Sequence, residues 1–254
     1  MTDWNIPDLI NPKKLIKIDF KKNYSKLNLI ELLEKMLLIR LVENKLANEK
    51  EKGNIGGPIH LGAGQEAIAV GISSYIKKTD RVFGAHRSHS HVLSQGSDLR
   101  SFFAEILGKD KGLSRGMGGS MHMWDQPNGF YGSVPIVAGT VPLALGAGYA
   151  AKIDKQDDIA VAYLGDSAME EGVVHESLNL ASLLEIPIIF VVENNMFGSH
   201  MHINYRQTAI STARFAKANN IDYEIVDGNN VIEIEQVSKK AIENARLHNK
   251  PFFI

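Results

Sequence analysis

The sequence predicts an α/β protein, a three-layer α/β/α domain around a mostly parallel sheet. Two observations carry this. Apolar runs of strand length alternate with segments of helical period, and no internal repeat, linker or low-complexity tract interrupts them. The clearest unit is 159–195, where IAVAYL (159–164) and PIIFVV (187–192) flank a segment suited to a crossover helix. Such a unit makes the two strands parallel neighbours. Asp166 and the pair Asn194 and Asn195 then leave the sheet at one edge.

The elements follow in order. Residues 1–26 are polar, contain Pro7 and Pro12, and read as an irregular arm, leaving 27–254 as one domain. Ile30, Leu33, Leu37 and Leu41 recur at helical spacing and predict a helix from Leu27 to about Lys52, with Gly53 as its stop. GQEAIAVGISSYI (64–76) predicts a second helix, and RVFGA (81–85) a short strand running into HRSHSH. GKDKGLSRGMGGS (108–120) holds five glycines, which no regular element tolerates, so it predicts an ordered loop. AGTVPLALGAGYAAK (138–152) predicts a small-residue helix able to pack closely on a sheet or on another subunit. Then come a strand at 159–164, a helix near 170–185, a strand at 187–193 and a helix over 208–219. The strand YEIVD (223–227), a helix over 231–248 and the start of a buried strand in PFFI (251–254) complete the order.

Composition narrows the function. At 254 residues and 44% hydrophobic, the chain can bury a sizeable core. A formal net charge of -1 supplies no attraction for nucleic acid or an anionic membrane, so neither is expected as a partner. With no cysteine there are no disulfides and no thiolate metal sites, which suits a reducing cytosol. The first residues lack the apolar core of a signal peptide, and no apolar run reaches membrane-spanning length. A soluble cytoplasmic protein is the expectation.

Gly165-Asp166 alone is most often a turn and a helix cap. Asn195 changes the balance. Mg²⁺ takes oxygen ligands, needs only one or two from protein, and keeps phosphate oxygens in its shell. A helix N-terminus beginning near Ala168 would turn free N–H groups to the same spot, at the carboxyl edge where α/β ligands bind. Six of the nine histidines fall in three short stretches: His60; His86, His89 and His91; His200 and His202. Arg87 among the middle group suits phosphate binding, and the histidines suit proton transfer. A solvated polar loop is the competing reading. His122, at the end of the glycine loop, fits a structural or a site role.

Several stretches carry a resemblance: MLLIRLVENKL (36–46), HLGAGQEAIAVG (60–71), AHRSH (85–89), RGMGGSMHM (115–123), FYGSVPIVAGTVPLALGAGYA (130–150), and GDS…ENN with its separation of aspartate and asparagine. Together they resemble the α subunit of thiamine-diphosphate-dependent 2-oxo acid dehydrogenases of the pyruvate, branched-chain and acetoin type. The resemblance implies the thiamine diphosphate-binding fold, with Mg²⁺ held by Asp166, Asn195 and the backbone carbonyl of Phe197. It implies Gly165, Ser167 and Ala168 against the diphosphate, His86 and Arg87 beside the phosphates, Val137 on the aminopyrimidine, and His60 and His89 as catalytic histidines on the substrate side. The implied chemistry is the cofactor's, decarboxylation of a 2-oxo acid or turnover of an acetoin-like substrate. The implied partners are a β-type transketolase-like subunit in an α2β2 assembly and a lipoyl carrier protein.

The sequence departs from the family pattern at GDS for GDG, at His86 for an aromatic residue, at Pro135 for glycine, and in the loop MFGSHMHINYRQ (196–207). The family also continues past PFFI, so the usual C-terminal extension is expected to be lacking. The unusual loop keeps open a carboligase or split-transketolase-type subunit on the same cofactor. A scaffold that has lost the cofactor is disfavoured by Asp166, Asn195 and Arg87.

Overall fold

The structure, a computed structural model, describes residues 24–254. The expected arm therefore lies, up to residue 23, outside the described residues. The long first helix, α1 (Lys26–Glu51), opens on a capping box in which Ser25 and Asn28 satisfy each other's backbone N–H groups. There follow α2 (Glu66–Ser73), β1 (Arg81–Gly84), α3 (His89–Ser94), α4 (Leu99–Ile106), β2 (Phe130–Ser133), α5 (Val141–Ile153) and β3 (Ala160–Gly165). A 3₁₀ turn (Asp166–Glu170) leads into α6 (Gly172–Leu183) and β4 (Ile188–Glu193). The hairpin β5 (Phe197–Gly198) and β6 (Met201–His202), then α7 (Ala213–Ala218), β7 (Asp222–Tyr223), α8 (Val231–His248) and β8 (Phe252–Phe253) close the order.

The main sheet runs β2-β1-β3-β4-β8-β7, and every pairing in it is parallel. Alternation along the strands splits the core into two layers. Val161, Tyr163, Ile189 and Val191 face Ile39, Val70, Val92 and Ile242 of α1, α2, α3 and α8. Ala160, Ala162, Leu164, Ile188 and Phe190 face Val141, Leu145, Val174 and Leu178 of α5 and α6. The three-layer expectation holds. In α5, a Cβ on Gly148 would lie 2.9 Å from Ile186 Cγ2 and 3.1 Å from the Pro187 carbonyl, so glycine permits the close approach expected of this helix.

Several local expectations need correction. The first α-helical turn after β3 begins at Gly172, not near Ala168, because Glu171 is extended (φ -77°, ψ 132°) and separates the 3₁₀ turn from α6. The helix expected over 208–219 contracts to α7, since Arg214 Nη1 donates to the carbonyls of Ala209 (2.7 Å) and Ser211 (3.0 Å) and holds a turn there. The strand expected at 223–227 keeps only Tyr223, because β8 pairs no further than that residue. HRSHSH is not a solvated loop: His89 and His91 begin α3 and are buried. The elements α4 and β2 and the hairpin β5–β6 were not anticipated.

The glycine loop is ordered, and its organiser is a carboxylate. Glu105 of α4 is fully buried and accepts four backbone N–H groups: Ser114 at 2.6 Å, Gly116 at 2.9 Å, Gly118 at 2.7 Å and Gly119 at 3.0 Å. A Cβ on Gly112 would fall 2.4 Å from Glu105 Oε2, and one on Gly116 (φ +73°) would fall 2.4 Å from the Gly108 carbonyl carbon. The glycines are spaced to let backbone wrap an anion. Burial works against the Glu105 charge, but the N–H groups outweigh it and hold its carboxyl below the usual carboxylate range. This contribution is present above the ordinary carboxylate pKa and is lost as pH falls through the lowered value. Glu105→Gln removes the charge and turns an amide N–H₂ toward N–H donors. It should cost about 3 kcal/mol, a drop of about 8 °C in the thermal midpoint. A variant melting within about 1 °C of the parent would remove Glu105 from this role.

Candidate active site

Pairing of β3 with β4 ends at Gly165 opposite Glu193, so the chain leaves both strands side by side at Asp166 and Asn194. Asn194 Oδ1 accepts the Met196 N–H and Asn195 Oδ1 accepts the Phe197 N–H, both at 3.0 Å, which folds the asparagines into tight turns. Asn195 and Phe197 are exposed, whereas Asp166 is buried. Its Oδ2 receives Arg206 Nη2 at 2.5 Å, and Arg206 Nη1 also donates to Glu170. Gln207 Nε2 donates to the Asp166 carbonyl and to Glu170 Oε1, both at 3.0 Å. Burial disfavours the Arg206 charge, but Asp166 and Glu170 outweigh it and raise the guanidinium pKa. Ser167 is half-buried and Ala168 buried within the 3₁₀ turn. No cluster of three or more His, Cys, Asp or Glu side chains suited to a metal occurs among the described residues. The expected ligand set has one acid, an amide and a backbone carbonyl, so it differs in kind from such a cluster.

The same sheet edge carries the histidines, at the end of β1. His60 and His86 meet edge-to-face with ring centroids 4.7 Å apart, and Arg87 Nη1 donates to the Leu61 carbonyl. Burial, then the charge of Arg87 and the nearby His89, lower the His60 pKa. Burial, His60 and Arg87 lower that of His86, against a small opposite effect of Glu193. His89 is placed otherwise than its substrate-side expectation. It is 1% exposed, with Nδ1 3.2 Å from Glu43 Oε1 and Nε2 2.7 Å from Ser120 Oγ, so both ring nitrogens are taken. Glu43 Oε1 also accepts the Gly62 N–H at 3.2 Å. His91 lies 3.1 Å from Glu193 Oε1 and stacks on Tyr163 at 3.7 Å.

The structure thus gathers His60, His86 and Arg87 in one group, and Gly165, Asp166, Ser167, Ala168, Asn195 and Phe197 in another, at the ends of adjacent parallel strands. Val137 is half-exposed in the turn before α5. His122 and His200 are exposed, and His202 packs its ring against Phe197 at 5.1 Å. Sequence reading missed Glu43, Ser120, Glu193 and Arg206. Glu43 and Ser120 sit inside stretches singled out as motifs, but their pairing through His89 spans tens of residues. Arg206 had only the oddity of its loop to draw attention.

Comparison with known proteins fits this architecture. Residues 34–254 match the family described as Dehydrogenase E1 component. The α subunit of acetoin:2,6-dichlorophenolindophenol oxidoreductase of Bacillus subtilis (strain 168) is 38% identical over 221 residues, covering 87% of this chain and 66% of that protein. The pyruvate dehydrogenase E1 component subunit alpha of Rhizobium meliloti (strain 1021) is 35% identical over 231 residues, covering 91% of this chain and 66% of that protein. The chain therefore spans just under two thirds of the length of these relatives. An X-ray structure from Mycobacterium smegmatis, of an enzyme assigned as thiamin diphosphate-dependent, shares the fold at a TM-score of 0.50. It is 16% identical, and the match covers 76% of this chain and 32% of that one. With nearly its whole described length inside the family match, this chain belongs to the Dehydrogenase E1 component family.

Proposed function

We propose that this chain is the α subunit of a thiamine-diphosphate-dependent dehydrogenase that decarboxylates a 2-oxo acid or acts on an acetoin-like substrate, and that it holds the Mg²⁺-diphosphate part of the cofactor. The observation that carries this is the buried Asp166 carboxylate at the end of β3, beside Asn195 from β4, in a chain of this family. The residues fit the group. Asp166 is a buried carboxylate already matched by a guanidinium, and Asn195 and the Phe197 carbonyl add neutral oxygens of the kind a hard cation prefers. Asp166, Asn195 and Phe197 would hold Mg²⁺. Gly165, Ser167 and Ala168 would lie along the diphosphate, with His86 and Arg87 beside its phosphates and Val137 on the pyrimidine side.

Thiamine diphosphate supplies, when bound, the nucleophilic carbon and the electron sink for loss of CO₂. The chain's own residues bind, orient and exclude water. His60, neutral near pH 7 because its pKa is lowered, can accept a proton at a ring nitrogen on the substrate side. His89 acts from behind it: through Ser120 and Glu43 it fixes the end of the glycine loop and the Gly62 turn that follows His60.

The apolar side chains Leu143, Tyr149 and Ile153 of α5 and Leu183 of α6 are exposed and form a face suited to a β-type subunit in an α2β2 assembly. A lipoyl carrier is the proposed acceptor. The hairpin β5–β6, with His202 against Phe197, gives a carboligase reading its one structural foothold. Product analysis on 2-oxo acids with and without an aldehyde acceptor separates the two readings.

Three outcomes test the proposal. Asp166→Asn should weaken Mg²⁺-dependent binding of thiamine diphosphate by at least about tenfold in calorimetry while the protein stays folded. Unchanged affinity would make the metal assignment wrong. His60 and His86 should titrate by NMR below the ordinary value of about 6.5. As pH falls through 6.5 the unfolded chain takes up protons first, so the pair withdraws stability from there downward. Midpoints at or above 6.5 would contradict the neutral-histidine assignment. The chain by itself should not reduce an artificial electron acceptor with any 2-oxo acid, and activity should need a β-type partner. Robust turnover by the isolated chain would sink the partner requirement.

A further inference from the structure

Arg206 makes three contacts with one guanidinium. Nη2 pairs with Asp166, Nη1 with Glu170, and Nε donates to the Met201 carbonyl at 3.1 Å, so the side chain ties the β5–β6 hairpin to the 3₁₀ turn after β3. The side chains of Asp166 and Arg206 are only 2% and 8% exposed, whereas that of Glu170 is 36% exposed. The hairpin seats tightly: a Cβ on Gly198 would lie 2.8 Å from Ser167 Cβ and 3.2 Å from Arg206 Cζ.

We propose that Arg206 is the resident counter-ion of Asp166, and that a divalent cation must displace it to bind. The inference rests on the reading of Asp166 as a cation ligand. A divalent cation on a carboxylate sits within about 2.1 Å of the oxygen. Arg206 at Oδ2 then faces two further positive charges beside a carboxylate that is 2% exposed. A lysine could shed its proton, but a guanidinium does not, so it has to move. Glu170 gives it somewhere to go: the arginine keeps that more exposed carboxylate while it releases Asp166. Its bond to Met201 ties the exchange to the hairpin, whose first residue, Phe197, is itself an expected ligand. The Asp166–Arg206 pair and the close seating of Gly198 on Ser167 are thus linked. Arg206 therefore sets cation affinity by competition.

The test is a calorimetric titration of MgCl₂ into the full chain with excess thiamine diphosphate, for the parent, Arg206→Gln, and Asp166→Asn. The Arg206 Nε–H resonance of the parent is followed by NMR in parallel. Arg206→Gln should bind Mg²⁺ about tenfold more tightly, and the parent's Nε–H signal should shift or broaden as Mg²⁺ is added. Equal or weaker Mg²⁺ binding by Arg206→Gln, or an Nε–H signal that ignores saturating Mg²⁺, would overturn the displacement while leaving Asp166 as a ligand. Mg²⁺ binding that survives intact in Asp166→Asn, or that is missing from the parent and Arg206→Gln alike, would instead remove the cation reading and the proposal with it.

Discussion

A carboxylate taken out of water must be matched by positive charge or by several N–H donors, or it will not stay ionised. The irregular segments of this protein are arranged around that demand. Glu105 collects four backbone donors and in doing so shapes the glycine loop. Glu43 takes His89 and the Gly62 N–H, fixing the turn after His60. Asp80, with no exposed surface, receives the N–H groups of Lys77 (2.7 Å) and Ile159 (2.9 Å) and pairs with Arg246, which fastens α8 beside the strand ends. Asp166 takes Arg206. The first three are matched within fixed structure. Asp166 differs because its partner, Arg206, lies just past the β5–β6 hairpin and also pairs with the more exposed Glu170.

That demand also decides what could be read in the sequence. The β3–α6–β4 unit was legible because a buried parallel strand is a continuous apolar run, and two such runs around a helix have one arrangement. Asp166 and Asn195 followed from it, since residues just past parallel strands share an edge. The carboxylate pairings were not legible. Glu105 and Gly119 are close in sequence, but nothing in the composition of SFFAEIL announces that its one acid points inward. Glu43 and Arg206 act on residues 46 and 40 positions away, and distance along the chain hides a charge pair. His89 illustrates the limit. Its residue type and place after a strand suggested proton transfer, and the sequence did not show that it is buried between Glu43 and Ser120. The α6 start shifted for a related reason: the chain after Asp166 tightens into a 3₁₀ turn, so the donors facing the edge belong to that turn.

Helix α5 meets two opposed requirements with one pattern. Gly148 lets the helix close on Ile186 and Pro187 at the sheet, while Leu143, Tyr149 and Ile153 stay outside. Those outward side chains are the surface that the proposed β-type subunit would cover. The approach to α5 is strained as well. Ala138 adopts φ 59°, a left-handed conformation that costs a residue with a Cβ roughly 1–2 kcal/mol, and the Gly139 N–H closes the turn onto the Ile136 carbonyl at 3.0 Å. Strain at a non-glycine residue persists only where surrounding contacts over-determine it.

Those contacts lead back to the site. Thr140, the residue before α5, donates its hydroxyl to the Gly84 carbonyl at 2.8 Å. Gly84 ends β1, and His86 and Arg87 follow two and three residues later. One buried hydrogen bond therefore joins the start of α5 to the strand end that precedes His86 and Arg87. Val137, half-exposed in the turn between them, belongs to both regions. A subunit seated on α5 would press on the same short stretch, 136–140, that borders the proposed cofactor cleft. Residues 136–140 thus connect α5 to the end of β1 through the Thr140–Gly84 hydrogen bond.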